Sequence, residues 1–314
     1  MAEPLRDPRV RDYVMPTRIV WRSPAPAPEN PDLLLSQTGH QVGPAGPRCV
    51  LGHGAGLLLD FGRELHGGVQ IVAHETTDNK PVQVRVRFGE SAGEAMADPF
   101  PIHGHAIHDH RCALPWFGSA EVGNTGFRFV RIDVDDPGKE VRLVSVRAVH
   151  LYRDLPWRGS FRCPDERLNQ IWRTGAYTTQ LCLQDLLWDG IKRDRLVWIG
   201  DMHPETMVVA TVFGSGDVVP HSLDLLRDAT PLPGWMNGIS SYSLWWLLTQ
   251  HTWWMYVGDA AYLEAQRGYL GGLAAQVLGC IGDDGGERLA EWRFLDWPTA
   301  GDDVAKHAGL QGLL

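Results

Sequence analysis

The amino-acid sequence predicts a multidomain protein of α and β structure, with a β-rich N-terminal part and a helical C-terminal part. Two patterns along the 314 residues carry this prediction. In VQVRVRF (82–88) apolar and polar residues alternate, as in a strand with one buried and one solvated face. From about residue 160 the apolar residues instead follow helical spacing. We therefore expect the boundary between the two parts near 152–159.

The first 48 residues are rich in proline and glycine, as in APAPENPDLL and GPAGPR. Proline cannot donate a hydrogen bond to a central strand, so such a stretch favours extended chain and edge strands. We expect residues 1–48 to form an extended lead-in with a few edge strands.

Residues 49–155 contain several short apolar runs, which glycines and Asp-Asn or Asp-Pro pairs separate. Besides VQVRVRF, the strand candidates are LLLDFG (57–62), GGVQIVAHE (67–75), FRFVRIDV (127–134) and VRLVSVRAVHLY (141–152). Several short strands within about a hundred residues are typical of a sandwich. The sequence therefore predicts an antiparallel β-sandwich over 49–155.

Residues 156–314 show helical patterns that long loops separate. In CPDERLNQIWRTGAYTTQLCLQDLLW, one helical stripe is formed by Leu168, Ile171, Trp172 and Ala176. Pro164 suits a first helical position, where its missing N–H costs nothing, and the acidic pair after it suits the helix dipole. Further helices are expected in MHPETMVVATVFG, VVPHSLDLLRD and AAYLEAQRGYLGGLAAQVLGCIG.

An aromatic stretch, SYSLWWLLTQHTWWMYVGD, predicts another helix that ends at Gly258. Its apolar stripe is formed by Tyr242, Trp245, Trp246, Thr249, Trp253 and Tyr256. The chain has 13 tryptophans, ten of them from Trp172 onward. Each can fill a core or can stack its flat apolar face on a sugar ring. The sequence leaves both interpretations open and favours the core for any single one.

Charge and composition narrow the classes of partner. The net charge of −9, from 29 basic and 38 acidic residues, argues against a nucleic-acid or anionic-membrane partner. The N-terminus lacks a signal-peptide pattern, and no window approaches the roughly 18 apolar residues of a membrane span. The five scattered cysteines contain no CxxC pair, which favours reduced thiols and a cytoplasmic location. We expect no cofactor.

A histidine-rich stretch, HGHAIHDH (103–110), could in principle bind zinc. No cysteine pair and no HExxH pattern support it, so we expect an exposed polar loop and no metal.

Three aspartates crowd the stretch WDGIKRDRLVWIGD (188–201). On one helix Asp194 and Asp201 would share a face and Asp189 would point about 140° away. Convergence needs a loop, which Gly190 and Gly200 would permit. Converging carboxylates raise one another's pKa, and a glycosidase needs a protonated carboxyl to release its leaving group. Nearby arginines oppose that shift, so a solvated loop remains the favoured alternative from the residues alone.

The stretch resembles the catalytic segment of the bacterial α-L-rhamnosidases, members of the six-hairpin glycosidase superfamily. Other segments resemble the family in the same order over most of 57–314: LLLDFGRELHGGVQ, VRFGES, EVGNTGFRFVR, LYRDLPWRGSFRCPDERLNQIW, LPGWMNGISSYSLWW and WRFLDWPT. Among these segments, DGIKRDRLVWIGD is the most specific match to the family. The resemblance implies a β-sandwich followed by an (α/α)6 toroid, with inverting hydrolysis of terminal α-L-rhamnosides.

The resemblance also implies roles for individual residues. Asp194 falls at the general acid, where many relatives have glutamate, so a shorter side chain must reach the glycosidic oxygen. Asp189 and Asp201 fall where carboxylates hold sugar hydroxyls. The remaining substrate-binding candidates are the basic residue Arg193, the aromatic Trp198, and, from less diagnostic segments, Trp235, Trp246, Asp296 and Trp297.

An inverting enzyme also needs a general base, which the family places well beyond the FLDWP-like segment. Residues 156–314 suffice for about half of a toroid, so we expect a partial toroid over this range and no base in this chain. Little or no glycosidase activity, bare apolar helix faces and a possible homodimer would follow. The alternatives are a non-catalytic carbohydrate-binding or structural relic, and a toroid glycosidase that acts on another sugar.

Overall fold

The computed structural model describes residues 6–36, 46–97, 108–214, 216–289 and 291–314. Contacts divide the chain into two compact units. The sheet unit comprises Arg9–Tyr152 together with Gly190–Asp194, and the helical unit comprises mainly Arg153–Asp189 and Arg195–Leu314. The domain bounds at 48 and 155 stay predictions. Two strands of the lead-in, where a few edge strands are expected, are members of the sheet.

The described strands of the sheet unit form one antiparallel network. They are β1 (Val10–Val14), β2 (Arg18–Arg22), β3 (Cys49–Gly52), β4 (Gly56–Thr76), β5 (Val82–Gly89), β6 (His108–Leu114), β7 (Gly118–Val134) and β8 (Glu140–Tyr152). Their order is β1-β8-β4-β7-β5-β6, with β2 paired to β4 and β3 paired to β8. The predicted antiparallel sheet is confirmed, and its arrangement as a two-layered sandwich stays a prediction.

Strand β4 lies in the interior of this network and pairs with three other strands. Its first residues pair with β2 and β7, and from Gly67 onward it pairs with β8 and β7. The register shifts on either side of Leu65, where Gly62 and Gly67 have φ of +84° and +137°. A Cβ on Gly67 would collide with the Val149 carbonyl oxygen of β8. Glycine is therefore required where the two backbones pass so closely.

Strand β5 confirms the alternation in VQVRVRF and adds one feature. Val82, Val84 and Val86 are fully buried in the core of the sheet unit. Arg87 points to the opposite face but is also buried, because it donates to the Ala97 carbonyl oxygen and to Asp133 at 3.1 Å each. The face that the sequence predicts to be solvated is thus partly covered, next to the short helix α1 (Ala92–Met96).

Six longer helices lie in the described part of the helical unit. They are α2 (Glu166–Cys182), α3 (Ile199–Val208), α4 (Val218–Ala229), α5 (Ser240–Val257), α6 (Ala260–Leu278) and α7 (Asp303–Leu313). A π-helical turn, Val209–Phe213, extends α3. The predicted helices are confirmed, whereas their arrangement as part of a toroid stays a prediction. The closing LQGLL contains the last turn of α7.

Helix α2 departs from the sequence prediction in its first residue and its buried face. Asp165 is the N-cap and accepts a hydrogen bond from the Arg167 amide, so Pro164 precedes the helix. Leu168 and Ile171 are 48% and 57% exposed, while Asn169 is buried. The reason is a paired contact, in which the Asn169 side chain donates to the Cys163 carbonyl and accepts from its amide. This contact turns the polar residue inward.

Helix α5 agrees with the prediction. Trp246 and Trp253 are buried in the core of the helical unit. The helix ends at Gly258, whose φ of +69° is left-handed and whose amide donates to the Trp254 carbonyl. Tyr256 of the predicted stripe is 55% exposed, because the stripe turns out of the core in the last turn.

Two composition-based expectations can be compared with the described residues. All five cysteines are free, in agreement with the predicted thiols. Among the helices that the structure describes, none has the length and apolar character needed to cross a membrane.

Candidate functional site

The stretch between α2 and α3 is a loop, as convergence of its aspartates would require. Asp189 and Leu196 close it, since the Asp189 amide donates to the Leu196 carbonyl at 3.0 Å and the Leu196 amide donates to Asp189 Oδ1 at 2.9 Å. Gly200, expected to permit the loop, instead lies within α3. A Cβ there would lie 2.6 Å from the ring of Tyr242, so the glycine allows close approach of α5.

Helix α3 begins immediately after this loop. Trp198 is the residue before its first turn, and its indole N–H is buried without a hydrogen-bond partner among the described residues. Asp201 lies in the first turn, where the helix dipole favours a negative charge. Glu205 follows four residues later, so the two carboxyl groups share one face of the helix.

Glu205 is half-buried, and its Oε2 atom has no hydrogen-bond partner among the residues described. Burial is the main cause that raises its pKa to about 8, and the negative charges of Asp201 and Asp189 add to the effect. A hydrogen bond with the Cys182 thiol lowers the pKa, but this effect is smaller than the rise from burial. At neutral pH this carboxyl is therefore mostly protonated. We refer to Asp189, Asp201 and Glu205 as the carboxyl cluster.

Tyr242 of α5 lies beside this cluster. Burial raises the pKa of its phenol to about 12, with further contributions from the charges of Asp201, Asp296 and Asp189. Its ring makes an edge contact with Trp198, with 6.1 Å between ring centroids. The phenol is thus a neutral hydrogen-bond donor among acceptors. Sequence analysis placed Tyr242 only in an apolar stripe, because its approach to α3 depends on Gly200.

Exposed indoles lie close in sequence to Asp296. Trp292 and Trp297 are 50% and 70% exposed, and both pack against Phe294, with centroid distances of 5.5 and 5.1 Å. Asp296 caps the short turn that carries Trp297 by accepting a hydrogen bond from its amide at 2.7 Å. Exposed flat apolar faces next to carboxylates suit the C–H faces and hydroxyls of a sugar. Sequence analysis did not select Trp292, although the WRFLDWPT segment contains it.

The two remaining tryptophan candidates have different surroundings. Trp246 is fully buried and donates its indole N–H to the Leu223 carbonyl at 3.1 Å, so the structure places it in the core. Trp235 is half-buried and lines an open depression of about 390 Å³ with Leu226 and Pro231. Of the two, Trp235 retains a surface that a ligand could reach.

The candidate acid belongs to the other compact unit. Asp194 and Arg193 lie in the Gly190–Asp194 segment, which clusters with the sheet unit. Asp194 has a left-handed φ of +46°, and its side chain is 28% exposed. The Nε atom of Arg193 is 4.0 Å from Asp194 Oδ1, and its side chain is 62% exposed. This guanidinium is therefore mostly in solvent.

The histidine-rich stretch is only partly within the described residues, since 103–107 lie outside them. Its described end, His108–His110, begins strand β6, so the expected loop is wrong there. His110 pairs with Val86 of β5, and burial lowers its pKa. No group of three or more potential metal ligands occurs among the described side chains.

The helical region matches a known family. Residues 156–309 match the model of the bacterial alpha-L-rhamnosidase 6 hairpin glycosidase domain. Residues 156–309 of this chain therefore belong to the bacterial α-L-rhamnosidase family. Comparison with curated proteins gives no match.

Solved rhamnosidases share the fold. A rhamnosidase from Klebsiella oxytoca with rhamnose bound is 19% identical, with a TM-score of 0.78 over 97% of this chain and 63% of that one. A family 78 rhamnosidase of Bacillus sp. GL1 is 22% identical, with a TM-score of 0.66 over 84% and 28%. The Streptomyces avermitilis α-L-rhamnosidase complexed with L-rhamnose is 18% identical, with a TM-score of 0.57 over 82% and 26%. The chain thus spans less than two thirds of each.

Proposed function

We propose that this protein contributes the acid side of an inverting glycosidase site for terminal α-L-rhamnosides, with Asp194 as the general acid. The observation that carries the proposal is the WDGIKRDRLVWIGD stretch inside a region that matches the rhamnosidase family. The carboxyl cluster next to Tyr242 supports it, because a carboxyl group whose pKa burial raises, such as that of Glu205, is typical of functional sites. Rhamnose complexes of two similar structures support the substrate class.

The residues of the helical unit would then bind the sugar. Carboxylates at Asp189 and Asp201 can accept hydrogen bonds from sugar hydroxyls, and the Tyr242 phenol can donate one. Trp297, with 70% of its surface exposed, offers an indole face for stacking. We propose that Trp198, Trp235, Arg193 and Asp296 also bind substrate. Trp246 is excluded from this role because it is fully buried.

We also propose that this chain by itself lacks an effective general base. A base must be ionised to activate water, whereas Glu205 has a pKa of about 8 and is mostly protonated at neutral pH. Asp296 accepts the Trp297 amide hydrogen through Oδ1, which holds this carboxylate at its turn. The protein would then bind rhamnose but hydrolyse rhamnosides slowly.

Further proposals concern the architecture, the assembly and the location of this protein. We propose that the sheet forms a two-layered sandwich and that α2–α7 form part of an (α/α)6 toroid, in keeping with the fold similarity. A homodimer and a cytoplasmic location are further proposals, which sedimentation and fractionation would test.

Calorimetric titration of the 314-residue chain with L-rhamnose tests the site. We expect binding that Asp201→Asn weakens about 10- to 100-fold, since a hydrogen bond to a charged group contributes about 1.5–3 kcal/mol. Asp283→Asn, an exposed aspartate of the same unit, is the matched control and should leave the affinity unchanged. A panel of aryl glycosides should show slow turnover at best. Rapid hydrolysis would contradict the missing base, and binding of another sugar instead of rhamnose would contradict the substrate class.

A further inference from the structure

The segment Gly190–Asp194 clusters with the sheet unit although the residues around it in sequence belong to the helical unit. Its main polar contact is an ion pair between Lys192 Nζ and Glu94 Oε1 at 2.6 Å. The two side chains are only 11% and 30% exposed, so solvent screens this pair less than an ordinary surface pair.

Lys192 is the cation among three glutamates. Besides Glu94, the carboxyl groups of Glu64 and Glu90 interact electrostatically with it. Burial raises the pKa of both, and the charge of Lys192 partly opposes the rise. Arg128 also acts on Glu64. Loss of the lysine charge would leave these carboxyl groups close together without their nearest common cation.

Apolar and backbone contacts fix the same segment. Ile191 is 7% exposed and packs so closely on strand β7 that a Cβ on Gly126 would lie 2.7 Å from its Cγ1 atom. The His108 ring of β6 lies 3.2 Å from the Lys192 carbonyl oxygen, within hydrogen-bonding distance. Three groups from two neighbouring residues therefore hold the segment on the sheet: the Ile191 side chain, the Lys192 ammonium and the Lys192 carbonyl.

The backbone directly after these contacts is in an unusual conformation. Asp194 and Arg195 have φ of +46° and +58°, which side chains with a Cβ adopt at a cost in energy. Two such residues in succession persist only where the surroundings hold the chain. The docked part of the segment ends two residues before Asp194, so it is well placed to hold this conformation.

We propose that Lys192 is a positioning residue for Asp194: through its ion pair with Glu94 it docks the acid-bearing segment on the sheet unit. This inference rests on the acid role proposed for Asp194, but the docking itself can be measured without any activity.

Hydrogen–deuterium exchange of the full 314-residue chain tests the docking. In Lys192→Met we expect amide exchange across 190–196, and tryptic cleavage after Arg193 and Arg195, to rise about tenfold. Lys192→Arg, which keeps the charge, should restore protection. The matched control is Lys139→Met, which removes a lysine whose Nζ is 2.9 Å from Asp78 Oδ2 elsewhere on the same unit and should leave the segment unchanged.

Glu94→Gln provides a second, milder variant if Lys192→Met does not fold, and should loosen the same segment. Unchanged exchange across 190–196 in a folded Lys192→Met or Glu94→Gln chain would overturn the proposal, as would failure of Lys192→Arg to restore protection. L-Rhamnose titration of the unsubstituted chain tests the proposed function separately. Loosening of the segment in a chain that binds no rhamnose would uphold the docking and reject the function.

Discussion

At the residue scale, two acidic side chains show how partners decide the pKa of a buried carboxyl. Burial raises the pKa of Glu205 to about 8, and the charges of Asp201 and Asp189 add to this rise. Burial acts in the same direction on Asp60, which is 1% exposed. Hydrogen bonds from Arg128, the Gly62 amide and Arg18 outweigh it, so the pKa falls to about 2. Asp60 is thus a structural charge, whereas Glu205 is held neutral in the candidate site.

Asp60→Asn should destabilise the sheet unit by about 2 kcal/mol, since it removes a 1% exposed charge that accepts hydrogen bonds from two partly exposed arginines. The matched control is Asp109→Asn, which breaks a partly exposed pair with Arg85 and should cost about 1 kcal/mol. Urea unfolding followed by circular dichroism measures both. Equal losses for the two variants would show that burial of the Asp60 pair adds nothing.

The residue scale also marks the limit of sequence-based reasoning about the site. The four-residue spacing of Asp201 and Glu205 on one helix face can be read from the sequence once α3 is predicted. The contribution of Tyr242 cannot, because it depends on the approach of α5 to Gly200. Likewise, no local pattern distinguishes the buried Trp246 from the exposed Trp297.

At the scale of elements, periodicity predicts which segments are helices and strands but not always the face they bury. Strand β5 and helix α5 follow their apolar patterns, with Val84 and Trp246 fully buried. Helix α2 does not, because the paired hydrogen bonds between Asn169 and Cys163 turn a polar residue inward and leave Ile171 in solvent. Such a contact depends on the path of the chain before the helix, which apolar spacing does not encode.

Two glycine substitutions in adjacent helices should have opposite effects. Gly258→Ala should destabilise the helical unit by about 1 kcal/mol, because the left-handed φ of +69° at the end of α5 disfavours a Cβ. Gly268→Ala, at an exposed position in α6 where a Cβ meets no atom within 4 Å, should stabilise it by about 0.5–1 kcal/mol. Thermal unfolding compares the pair, and a gain at Gly258 would contradict the cap.

At the scale of the whole molecule, the response to pH depends on buried groups whose pKa values are strongly shifted. In the sheet unit, burial raises the pKa of Glu64 to about 8 and lowers the pKa of His150 to about 4. Folding therefore favours the uncharged form of both groups. The two have opposite linkage to pH, because neutral Glu64 binds a proton and neutral His150 has released one.

This opposition predicts the pH profile of the sheet unit. The Glu64 contribution is present below about pH 4.5 and is lost as pH rises to about 8, whereas the His150 contribution is present above about pH 6.5 and is lost as pH falls to about 4. Between these ordinary pKa values the slopes cancel, and above pH 6.5 stability should fall. Melting temperatures from pH 4 to 9 test this, and Glu64→Gln should remove most of the fall. A stability that rises from pH 6.5 to 8 would contradict it.

The interleaving of the two units has a consequence for how such a protein can be divided or recombined. The chain passes from the sheet unit at Tyr152 to the helical unit, returns at Gly190, and leaves again after Asp194. No single break in the polypeptide separates the units. A crossover at Tyr152 with a related gene would join a foreign Lys192 to the resident Glu94, so the two positions have to be inherited as a matched pair.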